Sequence, residues 1–142
     1  MPTKNFGAGI HIAIKRGGNF LILKKSVSDK DDAGHWDLPG GGIEFGEQPL
    51  ETAIREAKEE AGIKVEITKI LTTWAMPYGR KWSIEVLLEG KYLSGNIKLS
   101  PEHSEYKWVN KQELKAIRPK GLFVRVLLNH VYKNLPDQLE NI

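Results

Sequence analysis

The sequence predicts an α+β fold, a mixed β-sheet sandwiched between helices. Three observations lead there. Short runs of alternating apolar residues recur along the chain; one strongly two-faced run extends from Pro49 to Gly62; and a second helical period follows Pro119. The chain has 142 residues, enough for one proper core, so residues 1–142 are expected to form a single domain.

Taken in order, Gly9 to Lys15 alternates around Ile10, Ile12 and Ile14 and reads as a strand. Arg16-Gly17-Gly18-Asn19 is a hairpin turn signal, and Phe20 to Lys25 is the returning strand. Ser26 to His35 is polar and charged, a surface loop. The helix over Pro49–Gly62 follows. Val65 to Thr73 is β-branched and reads as a strand, Met76 to Lys81 holds Pro and Gly and reads as a loop, and Trp82 to Leu88 is a further strand that Lys91 to Leu93 extends or pairs with. Tyr106 to Val109 is a short strand. Asn110 is suited to cap a short helix over Lys111–Ala116, and Gly121 to Asn134 carries Leu122, Val126 and Val131 at helical spacing.

Composition narrows the function. There are no cysteines, which excludes disulfides, zinc–thiolate sites and a thiol nucleophile and fits a reducing compartment. No apolar run approaches the ~20 residues of a membrane span, and the opening MPTKNFGAG lacks the apolar core of a signal peptide, so a cytoplasmic protein with no membrane partner is expected. The net charge of +3 is modest, and no nucleic-acid-binding signature is present.

The helix over Pro49–Gly62 carries the chemistry. At ~100° per residue, Leu50, Ala53, Ile54, Ala57 and Ala61 form an apolar stripe, and Glu56, Glu59 and Glu60 gather on the other side. Like charges three and four residues apart repel, a cost that a helix built only to fold avoids. A divalent cation turns that repulsion into attraction, and Mg²⁺ prefers oxygen ligands. Pro49 suits the first helical position, Glu51 pairs with Gln48 in a capping-box-like way, and Gly62 stops the helix. Ahead of it, Gly40, Gly41 and Gly42 follow Trp36-Asp37-Leu38-Pro39 and let backbone approach a ligand closely. Gly41 and Gly46 have P-loop spacing, but Glu47 stands where Lys belongs, so a phosphate needs an intervening cation there.

The run Gly41–Ile63 resembles the Nudix box: Gly, five residues, Glu, seven residues, then Arg-Glu-U-x-Glu-Glu-x-Gly-U with U an apolar aliphatic residue. Gly41, Glu47, Arg55, Glu56, Glu59, Glu60, Gly62 and Ile63 match at every spacing, and Ala57 is a small occupant of a U position. The Trp-Asp-Leu-Pro-Gly-Gly lead-in and the later Glu105-Tyr106-Lys107-Trp108-Val109 also look like the family. The resemblance implies a Nudix fold and a Mg²⁺-dependent hydrolase, with Mn²⁺ as a possible substitute, acting on the pyrophosphate link of a nucleoside diphosphate joined to a further group. The MutT-like branch, which takes a nucleoside triphosphate to monophosphate and pyrophosphate, suits a short chain; ADP-ribose and dinucleoside polyphosphates are the alternatives. Branch marks near Pro77 and Tyr78, 15 and 16 residues past Gly62, are both present and do not decide. A non-catalytic nucleotide-binding module is a further alternative, which loss of the box glutamates would favour; all of them are intact.

By the same resemblance, Glu56, Glu59, Glu60 and the Gly41 carbonyl are metal ligands, one of the glutamates is the general base, and Arg55 orients them. Glu47 belongs to the site or to its support. A further metal-binding acid is expected from a distant loop, where Glu102 is preferred over Glu105. Among residues suited to the substrate, Lys24, Lys25, Arg16, Arg80 and Lys81 are candidates for phosphate, and Tyr78 and Trp82 for stacking on a base. Trp36 is expected to pack beneath the glycines. The four histidines lack HxxxH or HExxH spacing and read as structural or surface residues. The partner is a small nucleotide, the assembly a monomer or homodimer, and the reaction a direct attack of water at phosphorus without a covalent enzyme intermediate.

Overall fold

The alternation around Ile10, Ile12 and Ile14 becomes the central strand, β1 (Asn5–Arg16), in a computed structural model that describes residues 5–27 and 32–131. The Gly17-Gly18 turn leads to β2 (Asn19–Lys25), and Gly17 takes a positive φ of 61° as such a turn requires. Then come β3 (Trp36–Asp37), β4 (Gly40–Gly42), α1 (Pro49–Ala61), β5 (Lys64–Tyr78), β6 (Lys81–Ser94), β7 (His103–Val109), α2 (Lys111–Ala116) and α3 (Leu122–Val131). The sheet is mixed. β1 runs parallel to β6 and antiparallel to β2 and β4; β2 also pairs with β3 and β7; β5 pairs antiparallel with β6.

Two packed layers cover this sheet. Ile10, Ile12 and Ile14, with Leu88, face α1 and its Ala53, Ala57 and Ala61. Ala13, Leu87, Ile22 and Trp36 face the other way, against Leu114 of α2 and Val124 and Leu127 of α3. The period of two along β1 and β6 thus feeds two cores.

Several expectations need correction. Met76 to Lys81 is not a loop: β5 continues through Tyr78 and β6 starts at Lys81, so only Gly79 and Arg80 turn the hairpin, with φ +60° at Gly79. Pro77 is tolerated because it stands near the end of β5, the last strand of the sheet path. The expected separate strands Trp82–Leu88 and Lys91–Leu93 are one. Trp36–Asp37 and Gly40–Gly42, whose composition gives no strand signal, pair with β2 and β1. On α1, Leu50 and Ile54 are about half exposed, while Thr52 and Glu60 are buried. The buried face is therefore rotated toward the glutamates, away from the stripe that apolarity alone selects. The final helix is described from Leu122 to Val131; the remainder of the predicted Gly121–Asn134 run lies outside the described residues.

Candidate functional site: a carboxylate cluster beside the glycine strand

Gly40–Gly42 is held against β1 by the register Gly9–Gly42, Ile10–Gly41 and His11–Gly40, which lays three residues without side chains directly beside α1. The space is used by carboxylates. A Cβ on Gly41 would meet the Glu56 carboxylate, and the Gly40 N–H donates to Glu60 Oε1 at 2.7 Å. The glycines thus let the helix approach, and they anchor Glu60.

Arg55 organises one side of the cluster. Its Nε donates to Glu47 Oε2 at 2.6 Å and its Nη2 to Glu47 Oε1 at 3.0 Å, a bidentate pair. Nη1 donates to Glu56 Oε1 at 2.8 Å and to Glu59 Oε2 at 3.1 Å, and Nη2 also reaches the Gly42 carbonyl at 3.1 Å. Glu47 takes further bonds from the Glu44 N–H and the Thr52 hydroxyl, and Arg55 first, with these two after it, holds its pKa down to about 2. Arg55 is raised in turn, first by Glu47.

The other side is short of positive charge. Glu60 is buried, and its pKa is pushed up to about 8, first by burial and then by Glu56 and Glu102. Glu56 is raised as well, chiefly by burial. One ligand atom each from Glu60, Glu102 and His103 lies within 4.8 Å of the others. His103 Nδ1 stands 3.8 Å from Glu60 Oε2. The loop bringing Glu102 and His103 there is tied down by Ser100 N–H to the Glu60 carbonyl and Ser26 N–H to the Glu102 carbonyl. Oxygen donors that burial and mutual repulsion leave under-neutralised are what a divalent cation requires, so this donor set fits one.

The structure gathers Arg55, Glu47 and Glu59 toward Gly42 and Glu60 and Glu102 toward Gly40, with Glu56 between them against Gly41. Glu105, in contrast, sits on β7 opposite Lys24, 3.7 Å from its Nζ. Lys24 also lies 5.8 Å above the ring of Trp36, which is buried as expected. Tyr78, Arg80 and Trp82 stand exposed at the β5–β6 hairpin tip, level with Asn5 and Phe6 of β1 and so several residues along the strand from Gly9. Arg16 stacks over Tyr92 and Trp108. His103, with no HxxxH or HExxH spacing, joins Glu60 some forty positions upstream, a proximity that only the fold creates.

A family model for the NUDIX domain matches residues 5–128, and the chain belongs to this family. Among curated relatives, the chain is similar to an RNA pyrophosphohydrolase of Erythrobacter litoralis (28% identical over 130 residues; 75% of this chain, 76% of the relative). It is also similar to the mouse asymmetrical bis(5'-nucleosyl)-tetraphosphatase (35% over 100 residues; 66% and 65%) and to the nucleoside triphosphatase NudI of Escherichia coli O139:H28 (29% over 131 residues; 77% and 92%). The match to the mouse protein thus spans just under two thirds of that relative. The structure resembles the MutT protein of Methanosarcina mazei Go1 with a TM-score of 0.79, 29% identity and coverage of 92% of this chain and 96% of that one. The fold is the Nudix sandwich, and the chain is a hydrolase of phosphoanhydride bonds in nucleotides, from a family that uses divalent metal. No helix among the described residues is long and apolar enough to cross a membrane.

Proposed function

We propose that residues 1–142 act as one Mg²⁺-dependent domain in the cytoplasm, hydrolysing a nucleoside triphosphate to its monophosphate and pyrophosphate. The supporting observation is the meeting of buried Glu60 and His103 with exposed Glu102, beside Glu56, with Glu60 and Glu56 under-neutralised, at the edge of the glycine strand. Preference for a triphosphate is supported by the likeness to a nucleoside triphosphatase over nearly all of that relative's length.

Glu56, Glu60 and Glu102 hold Mg²⁺ or Mn²⁺, with Glu59 and the Gly41 carbonyl as further oxygens. When bound, the cation neutralises phosphate charge and acidifies water. Arg55 keeps Glu47, Glu56 and Glu59 in place through the bonds described above. Glu59 is the most exposed of the four box glutamates, its side chain 57% accessible against 16% for Glu47, 12% for Glu56 and 8% for Glu60. It is therefore the carboxylate that reaches solvent and takes the proton from the attacking water. Water attacks phosphorus directly, and the chain offers no cysteine for a covalent route.

The test is a product-profiled nucleotide screen with Mg²⁺, followed by a single turnover in ¹⁸O-labelled water with enzyme in excess. One label in a phosphate product is expected, in pyrophosphate for attack at the β-phosphorus. An unlabelled first-turnover product, or a phosphorylated or nucleotidylated protein, overturns the mechanism. Cleavage of dinucleoside polyphosphates in place of triphosphates overturns the substrate assignment.

A further inference from the structure

On the face of the sheet that packs against α3, a second carboxylate is buried away from the box. Glu85 of β6 is 4% exposed. It sits over Gly9 of β1, where any Cβ would collide with its carboxylate. It accepts from the Gly9 N–H and the Ser83 hydroxyl, yet Oε2 has no hydrogen-bond partner. Burial holds its pKa above the usual carboxylate range. A desolvated carboxylate oxygen without a partner is costly, and native structures keep few of them, one reason being a ligand that relieves the cost.

The surroundings describe that ligand. Trp74 of β5 is the cross-strand partner of Glu85, and Met76 is that of Ser83; both are partly exposed. Phe123 of α3 lies 5.9 Å from the Trp74 ring and stacks on His11 of β1 at 3.2 Å, 17° from parallel. His11 is kept neutral, its pKa lowered to about 3 by burial and then by Lys25, so it adds a flat uncharged ring and no cation to neutralise Glu85. Flat rings beside a carboxylate suit a planar heterocycle whose edge donates N–H. Glu85, Gly9 and Gly42 are register partners on three adjacent strands, and the carboxylate reaches back over Gly9, so it stands one strand spacing, about 5 Å, from the glycine strand.

We propose that Glu85 is a specificity-determining residue that reads the base of the nucleotide, and that it selects guanine. Guanine presents two adjacent N–H donors, N1–H and the 2-amino group, to one carboxylate. Adenine and cytosine place a ring-nitrogen lone pair beside their amino group, and uracil flanks its single N–H with carbonyls; each repels the carboxylate. The word substrate rests on the hydrolase reading, but the binding itself does not.

Two measurements test this. In EDTA, nucleoside monophosphates are titrated against intrinsic tryptophan fluorescence, with Trp74→Phe identifying the responding ring. GMP is expected to bind at least tenfold more tightly than UMP. Glu85→Gln keeps shape and puts an amide N–H₂ within reach of guanine's donors. It should cut GMP binding and GTP kcat/KM on the order of 10–100-fold, change UMP and UTP less than threefold, and leave the melting temperature nearly unchanged. Gly9→Ala, whose methyl displaces the carboxylate, should lower the GMP preference in the same direction. Binding of GMP, AMP, CMP and UMP within threefold of one another, or an undiminished guanine preference in folded Glu85→Gln, overturns the proposal. Triphosphate cleavage without base discrimination sinks this inference alone. Selective GMP binding, sensitive to Glu85→Gln, in a protein that cleaves no triphosphate supports it and sinks the hydrolase reading.

Discussion

Around Arg55, the carboxylates of Glu47, Glu56 and Glu59 each meet a guanidinium nitrogen; one turn further along α1, Glu60 meets Glu102 and His103 instead. The helix, the strand beside it and the glutamate side chain are the same in both places. Only the supply of positive charge differs. On the first side one guanidinium hydrogen-bonds all three carboxylates and fixes them. On the second no guanidinium reaches Glu60 among the described residues, and burial drives it toward its neutral form. The contrast separates two tasks that share one motif. A salt-bridged corner holds geometry, and an under-neutralised corner has affinity left over for a cation.

The largest effect that bears on this contrast is the loss of Glu60. Glu60→Gln should lower kcat by on the order of 10²–10⁴ and abolish the rise in melting temperature that Mg²⁺ gives the unsubstituted protein. Glu59→Gln should lower kcat over the same range yet keep the Mg²⁺-dependent rise. If both variants keep the rise, the cation is not held at the Glu60 corner. Glu102→Gln should cost more activity than Glu105→Gln, because Glu105 is engaged with Lys24 on β7; the reverse order would exchange their roles.

Next in size is the response to pH without metal. Glu60 has a folded pKa near 8, raised from 4.5, with Glu56, Glu102, His103 and Lys25 facing it. Below pH 4.5 both folded and unfolded forms carry the proton. Above it the unfolded chain releases the proton first, so stability falls as pH rises toward 8, on the order of 1 kcal/mol per pH unit. Asp37, raised to about 6 by burial, adds to the same slope over its lower part, where His11, lowered to about 3, opposes it up to pH 6.5; above that Glu60 acts without that opposition. Melts in EDTA from pH 5 to 8 should slope downward, and millimolar Mg²⁺ should flatten them. A melting temperature that climbs with pH in EDTA would contradict the unbalanced corner. The smallest effect belongs to Glu51→Gln. Among the described residues Glu51 accepts from the Gln48 N–H, an acceptor role that Gln keeps, and stability and kcat should stay within experimental scatter.

The reach of the sequence follows the same division. Box residues lie within one turn-and-helix segment, so their spacing reports their proximity, and Pro49, Glu51 and Gly62 mark the helix by local rules. Asp37 is different. Its carboxylate takes the N–H groups of Leu38, Phe123 and Val124, bonding β3 to the start of α3 across more than eighty residues. Nothing local announces that, nor that Glu85, Trp74, His11 and Phe123 adjoin, because four separate elements supply them. Leu50 and Ile54 misled for a related reason: helical periodicity ranks apolarity, whereas the sheet of this protein receives a face containing Thr52 and Glu60. Pro77 and Gly79 look like loop residues because turn chemistry is local, while the hairpin is prolonged by pairing along β6.

β5 ends the sheet path among the described residues, and its register against β6 slips between Ile67 and Lys69 and again between Ile70 and Thr72. A row of free amides and carbonyls is a template on which another chain can polymerise. The slips twist that row out of line, and Lys64, Glu66 and Lys69 put charge along it, so a second molecule finds no straight ladder to extend. The irregularity therefore acts between molecules. A β5 shortened by one residue at Thr68 and one at Leu71, which removes both slips, would present a flatter edge, and its effect would show first as self-association in concentrated solution.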